Sequence, residues 1–305
     1  MKINYKHYQK QFSNIVLTTI AYGFFYCVAY LIPVRVASFI GYVLGSTLLY
    51  YFPLPRKKEI FENIKKAFPE KSLADVKKIY KGACANFAQN IFEMPKLEKF
   101  AHNPKYVFIT DPNGVLNGLG SEKVLLFSAH IGNWNIASMP LLPLQNSYTI
   151  YKVPNNKYVD GLMLRAMLQD YKQFKNKKIT LSKKVVLSLS QQLKTSAVAI
   201  LMYVDQRIRE GLDSTTFFGR KTHTSHFLPM LAIKYNVKMV PIYVIRHSFF
   251  SRKPFLELVI EKPLNFESSG EDKADMHNLT QMMNDRIEEW VKNNPQQWFW
   301  LHRRW

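Results

Sequence analysis

VLLFSAHIGNWN, residues 124–135, is the stretch from which the rest of the chain can be read. Val124 to Phe127 is an apolar run that closes on His130, and Gly132 and Asn133 then turn the chain before apolar residues resume. The pattern predicts a buried strand, a tight turn and the first turn of a helix. It puts the histidine at the carboxyl end of a strand, where open α/β sheets gather their chemistry. His130 is therefore a candidate general base. The backbone N–H groups around Gly132 and Asn133, at the start of the next helix, are candidates for turning the chain and stabilising an oxyanion.

Working outward, strand-like segments at Tyr148–Val153, Ala197–Val204, Met239–Arg246 and Leu256–Ile260 alternate with helical patterns. The helical patterns lie near Ile136–Leu142, Lys157–Phe174, Lys183–Leu193 and Phe227–Tyr235. This alternation predicts an α/β fold, a mainly parallel sheet flanked by helices on both faces. A closing helix over about Asp272–Lys292 places Met276, Leu279, Met283, Ile287 and Trp290 along one face. Before the sheet, Lys57–Phe68 and Ser72–Phe100 have helical spacing, separated at Pro69.

The amino end has a different character. Ile15–Val34 carries no charge, and after Arg35 a second uncharged run extends over Val36–Pro55. Each is long enough to cross a hydrocarbon core of about 30 Å as a helix. Lys2, Lys6 and Lys10 precede the first run and Arg56, Lys57 and Lys58 follow the second. Three readings fit: a hairpin with both ends in the cytoplasm, one inserted helix followed by a segment lying at the interface, or, less favoured by the tyrosine-rich composition and terminal position, a pair of buried soluble helices. The second is preferred, since Ser38, Gly41, Gly45 and Ser46 weaken the later run as a spanning helix. Residues 1–55 thus read as an N-terminal membrane-anchoring helical segment, and 56–305 as the globular domain.

Composition narrows the partners. Forty-two Lys and Arg against 22 Asp and Glu give 305 residues a formal charge of +20, which attracts phosphates, anionic lipid surfaces or acidic proteins. Basic residues such as Lys65, Lys66, Lys77, Lys78 and Lys81 would form a collar beside the membrane. Nothing resembles a nucleic-acid-binding module. Cys27 and Cys84 match no metal or redox spacing and read as free thiols. His223 and His226 lack acidic companions, so no metal is expected.

From His130 onward the residues resemble a known family. HIGNWN, YVDQ at Tyr203–Gln206, FFGRKT at Phe217–Thr222 and PQQWFWLHRRW at Pro295–Trp305 occur in the order of the blocks of the bacterial lipid A biosynthesis lauroyl/myristoyl acyltransferases. ENIKKAFPEKS (Glu62–Ser72) and NFAQNIFEM (Asn86–Met94) are similar to that family's amino-terminal blocks. The resemblance implies a cofactor-independent enzyme on the cytoplasmic face of the inner membrane. It would move an acyl chain from acyl carrier protein to a hydroxyl of a lipid A precursor. Acylation of another glycolipid or lysophospholipid, and a non-catalytic lipid-binding protein of the same fold, are the alternatives.

Read alone, His130 would be a hydrogen-bonded core histidine; the flanking Gly-Asn-Trp and the downstream blocks favour catalysis. The family pattern places Glu or Asp five positions after this histidine to orient the imidazole, and here that position is Asn135. An amide can hold a ring tautomer but brings no charge. Three explanations stand open: another carboxylate such as Asp205 substitutes, Asn135 suffices, or the protein is inactive or altered. Asp205 ends the apolar run AVAILMYV, and the resemblance assigns it to the functional site; its ordinary alternative is to cap a loop or pair with Arg207 or Arg209. Lys152 stands where a phosphate-holding basic residue, usually Arg, is expected, or else is an ordinary surface lysine. Arg220 and Lys221, followed by Thr222, Thr224 and Ser225, offer a further substrate or carrier-protein contact, or else an ordinary basic loop.

Overall fold

In the computed structural model, which describes residues 23–305 apart from 24, 26, 55, 102, 151–176, 181, 209–213 and 249–254, the core is a twisted sheet. Its strands are β1 (Val107–Thr110), β2 (Lys123–Ser128), β3 (Ser147–Ile150), β4 (Lys177–Ile179) and β5 (Val198–Tyr203). A separate hairpin of β6 (Thr215–Phe217) and β7 (Arg220–Thr222) follows, then β8 (Met239–Arg246) and β9 (Leu256–Ile260). Among the described residues the main sheet has seven strands in the order β1-β9-β8-β2-β5-β3-β4. Every neighbouring pair is parallel except β8 with β9.

The helices are α1 (Val34–Leu44), α2 (Lys57–Ala67), α3 (Leu73–Glu93), α4 (Leu97–Ala101), α5 (Val115–Gly118), α6 (Lys183–Thr195), α7 (Phe227–Tyr235) and α8 (Asp272–Asn293). Strand pleating sends successive side chains to opposite faces. Leu125, Phe127, Ile200 and Met202 meet Ile64, Ile79, Leu189, Leu231, Met283 and Ile287 from α2, α3, α6, α7 and α8. On the other side Leu126, Leu201, Val240 and Ile242 meet Val34, Leu97, Phe100, Ile136 and Leu141. Burial on both faces explains why VLLF is continuously apolar instead of alternating, and the expected layered α/β fold is the one formed.

Several local expectations change. The predicted helix Ser72–Phe100 starts with a reciprocal cap between Ser72 and Asp75 but breaks at Pro95 into a 3₁₀ turn, Met94–Lys96, and α4. Instead of an α-helix near Ile136, Trp134–Leu141 forms 3₁₀ structure, because Pro140 removes a donor and Asn133 provides no side-chain cap. FFGRKT is a hairpin, turned at Phe218 and Gly219 with φ of 51° and 67°. The predicted helix Lys157–Phe174 lies outside the described residues.

No helix among the described residues is long and apolar enough to cross a membrane. The second uncharged run, expected in one arrangement to span, is α1 continued by a π-helical turn, Gly45–Leu49, and this unit packs on α3. The small residues are the reason: a Cβ on Gly41 would lie 2.8 Å from Gln89 Cα, and one on Gly45 2.4 Å from the Cys84 carbonyl oxygen. They make a close helix-packing seam. Of the first run, residues 15–22, 24 and 26 lie outside the described residues.

Candidate active site

Parallel register brings His130 and Asp205 together. Ser128 of β2 pairs with Tyr203 of β5, so the residues two positions beyond each strand end face one another across 75 residues of sequence. His130 Nδ1 lies 2.7 Å from Asp205 Oδ1, while the His130 backbone N–H donates to Asp205 Oδ2 at 2.9 Å. Trp298 Nε1 donates to the same Oδ2 at 2.9 Å. With Asp205 accepting the Nδ1 proton, Nε2 keeps its lone pair on the open side of a ring whose side chain is 18% exposed. Trp134, Tyr203 and Phe299 wall the imidazole at ring-centre distances of 5.4, 5.1 and 6.3 Å, and Phe87 stacks on Phe299.

Asp205 is completely buried. Burial alone would raise its pKa, but the charge and hydrogen bond of His130, the charge of His302 and the His130 backbone N–H outweigh it and hold the carboxyl well below the usual carboxylate range. His302 shifts downward as well, because burial outweighs the pull of Asp205, whose carbonyl oxygen lies 3.1 Å from His302 Nε2. For both groups the unfolded chain binds more protons, so stability rises with pH. The His302 share is present above an unfolded value of about 6.5 and lost as pH falls toward its lowered value; the Asp205 share is present above about 3.9 and lost as pH falls through its depressed one. Thermal unfolding followed by circular dichroism should therefore show Tm falling in two stages on acidification. His302→Gln should shrink the upper stage, and an unchanged upper stage would contradict this assignment.

The turn after His130 is held from beneath by polar residues on one face of α3. Asn86 and Asn90 Nδ2 donate to the Gly132 carbonyl at 3.0 and 2.7 Å, and Glu93 Oε2 accepts from Asn133 Nδ2 at 2.7 Å. Arg246, the last residue of β8, grips both Glu93 oxygens at 2.5 and 2.8 Å and also reaches Asn86 and Asn90. Gly132 adopts φ +56°, and a Cβ there would sit 2.0 Å from the Val244 carbonyl oxygen, so conformation and space both require glycine.

Residues 6–305 match the sequence profile described as bacterial lipid A biosynthesis acyltransferase. The chain belongs to that family. For this lipid A biosynthesis acyltransferase, membership establishes the chemical class, transfer of an acyl group to a lipid, in a family generally associated with membranes. No curated protein matches the chain. Among solved structures it is similar to the 1-acyl-sn-glycerophosphate (LPA) acyltransferase PlsC from Thermotoga maritima, at 10% identity over 84% of this chain and 95% of that one, with a TM-score of 0.33.

The acyltransferase places its sequence-predicted residues unevenly. Asn135 does not hold the imidazole: it is buried with Nδ2 3.4 Å from Asn133 Oδ1, and the Nδ1 position of His130 is filled by Asp205. The Gly132 N–H, expected to help an oxyanion, is committed to the Gln297 carbonyl at 3.1 Å, so this residue serves the turn. Asn133 sits in the Glu93 network through its side chain. Arg220 donates to Asn63 at 3.0 Å and stacks over Trp305, Lys221 is exposed on the hairpin, and no hydrogen bond or ion pair joins either to His130 or Asp205 among the described residues. Lys152 lies outside the described residues. His226 Nδ1 meets Thr280 Oγ1 at 2.9 Å.

Sequence reading missed Trp298, His302, Gln206 and the α3 network. The helical spacing of Asn86, Asn90 and Glu93 on one face of a core-facing helix was the available signal. Gln206 Nε2 stands 3.5 Å from His130 Nε2, on the open side of the ring.

Proposed function

We propose that this acyltransferase moves a fatty acyl chain from acyl carrier protein to a hydroxyl of a lipid A precursor, at the cytoplasmic face of the bacterial inner membrane. The observation that carries the chemistry is the His130–Asp205 contact beside an aromatic-walled opening. A lipid hydroxyl is a weak nucleophile near neutral pH, so a base must take its proton as it attacks the thioester carbonyl. His130 Nε2 takes that proton, and the imidazolium is stabilised by the Asp205 carboxylate. As the tetrahedral intermediate collapses, the C–S bond breaks and the same proton returns to the departing thiolate of the carrier. In this reading Gln206, whose Nε2 lies 3.5 Å from His130 Nε2, donates to the oxyanion once that ring nitrogen has taken the proton, while the turn glycine is already engaged. No cofactor enters these steps.

Placement at the membrane is supported by α1 and the turns after it. Val36, Phe39, Tyr42, Val43, Leu48, Tyr51 and Phe52 are exposed there, an apolar surface larger than isolated exposed residues account for. In this reading residues 1–55 form the membrane-facing segment, with α1 lying in the interface, and 56–305 the acyltransferase domain. The +20 charge favours both anionic headgroups and an acidic carrier protein. The Asp205 contact supports activity in spite of Asn135, since it gives the ring a carboxylate partner.

Membranes containing the protein, supplied with labelled acyl carrier protein thioester and a tetra-acylated lipid A precursor, should yield a lipid product heavier by one acyl chain in mass spectrometry. Label appearing only in glycerophospholipid, with the lipid A precursor unchanged, would contradict the acceptor assignment.

A further inference from the structure

A cleft of about 480 Å³ lies between the α1 unit and α3, away from His130. Tyr42 and Ser46 line it from the α1 unit, Ile79, Gly82 and Ala85 from α3, and Pro295 and Gln296 from the loop after α8. Lys71, Lys78 and Lys81 supply its charge. Asp75 is also in the lining, but its carboxylate is held by the Ser72 backbone N–H and hydroxyl at the helix cap. Lys71 has one loose ion-pair partner, Glu70 at 3.8 Å, and lies over the Phe68 ring; Lys81 lies 6.0 Å over the Tyr50 ring, and neither Lys78 nor Lys81 makes an ion pair among the described residues. A cavity of this size is within the range of small-molecule sites, and its cationic rim adjoins an apolar face that includes Phe39, Tyr42 and Val43.

We propose that this cleft is a separate binding site for the headgroup of an anionic membrane phospholipid. The three ammonium groups surround the phosphate diester, while the acyl chains run out over the exposed side of α1 into the bilayer. Charge complementarity selects the headgroup, and continuity with the apolar helix face distinguishes a lipid from a free anion. The lipid serves as a membrane ligand and undergoes no chemistry there. This inference rests on the interfacial placement of α1 proposed above.

The test is a titration of the full-length protein with monomeric short-chain phosphatidylglycerol. It compares the native protein, the triple variant Lys71→Gln, Lys78→Gln, Lys81→Gln, and a control triple variant Lys194→Gln, Lys262→Gln, Lys273→Gln. The control removes the same charge from exposed lysines outside the cleft lining. Binding should be saturable and weakened on the order of tenfold or more in the cleft variant, with about twofold or less change in the control. Equal weakening in both would overturn the site in favour of diffuse attraction, and equal competition by inorganic phosphate would overturn the lipid assignment. Preferential protection of these lysines by acyl carrier protein, with no saturable lipid binding, would also overturn it, in favour of a protein-docking face. Flotation of the cleft variant with phosphatidylcholine vesicles separates this proposal from its premise. Retained flotation leaves the interfacial reading of α1 standing even if the headgroup site fails, whereas native protein that does not float removes the premise itself.

Discussion

Asp205→Asn should lower acyl transfer by roughly 10⁴, the cost of the corresponding change in a serine-protease triad. The substitution keeps size and leaves an oxygen that can accept from Trp298 Nε1, which lies 2.9 Å away in the native protein. It removes the charge that stabilises the imidazolium, and its amide can turn toward His130 Nδ1 as a donor, moving the ring proton to Nε2 and blocking the base. His130→Ala should be at least as severe. The double variant should be no worse than His130→Ala alone, because residues acting as one unit are strongly non-additive. Asn135→Ala, by contrast, should stay within about tenfold of the native rate, since Asn135 makes no hydrogen bond to the ring among the described residues and its loss mainly opens a small cavity. Rates from labelled thioester check all four. A collapse in Asn135→Ala with Asp205→Asn unaffected would reverse the assignment.

Glu93→Ala should be among the most destabilising single changes outside the hydrophobic core. Glu93 is fully buried and Arg246 nearly so, and removing one partner of such a pair costs about 3–5 kcal/mol because the other is left as an uncompensated buried charge. The same change frees Asn133 Nδ2 and weakens the support under the Gly132 turn. Activity should therefore fall with stability, and at a temperature where the variant is still folded the rate should remain depressed. Denaturant unfolding and single-turnover transfer measured side by side would test both parts. A loss under about 1 kcal/mol would show that relaxation or solvent compensates Arg246.

The layered fold was legible because its signals are local. VLLF closing on His130 marks a buried strand, and Leu279, Met283, Ile287 and Trp290 mark the packed face of the last helix; all of these helix residues are buried. Elements whose stability is tertiary were not legible. VFIT of β1 is four residues long, and the hairpin at Phe217–Arg220 depends on Phe218 accepting a positive φ that its residue type does not advertise. The helix expected after His130 failed for a local reason that was visible, Pro140 within it.

The site divides the same way. His130 announced itself by position, at the end of an apolar strand before a glycine turn. The partner of its ring was nearer in sequence at Asn135 but nearer in space at Asp205, and only the pairing of Ser128 with Tyr203 decides between them. Arg246 looked like the end of a strand, and its place under the Gly132 turn required the packing of α3 against the sheet. The small residues of the second uncharged run weaken it as spanning material; their use, a seam that brings α1 close to α3, emerges only when both helices are in place.

The most direct test of the central claim, that Asp205 fixes the His130 imidazole with its proton on Nδ1, is a ¹H–¹⁵N correlation spectrum of protein labelled at histidine ring nitrogens. The His130 resonance can be assigned among the eight histidines by His130→Gln. A neutral ring protonated at Nδ1, with that proton shifted strongly downfield, retained in Asn135→Ala and lost in Asp205→Asn, is the result this account predicts. A ring protonated at Nε2 in the native protein, or an Nδ1 proton signal unchanged by Asp205→Asn, would contradict it.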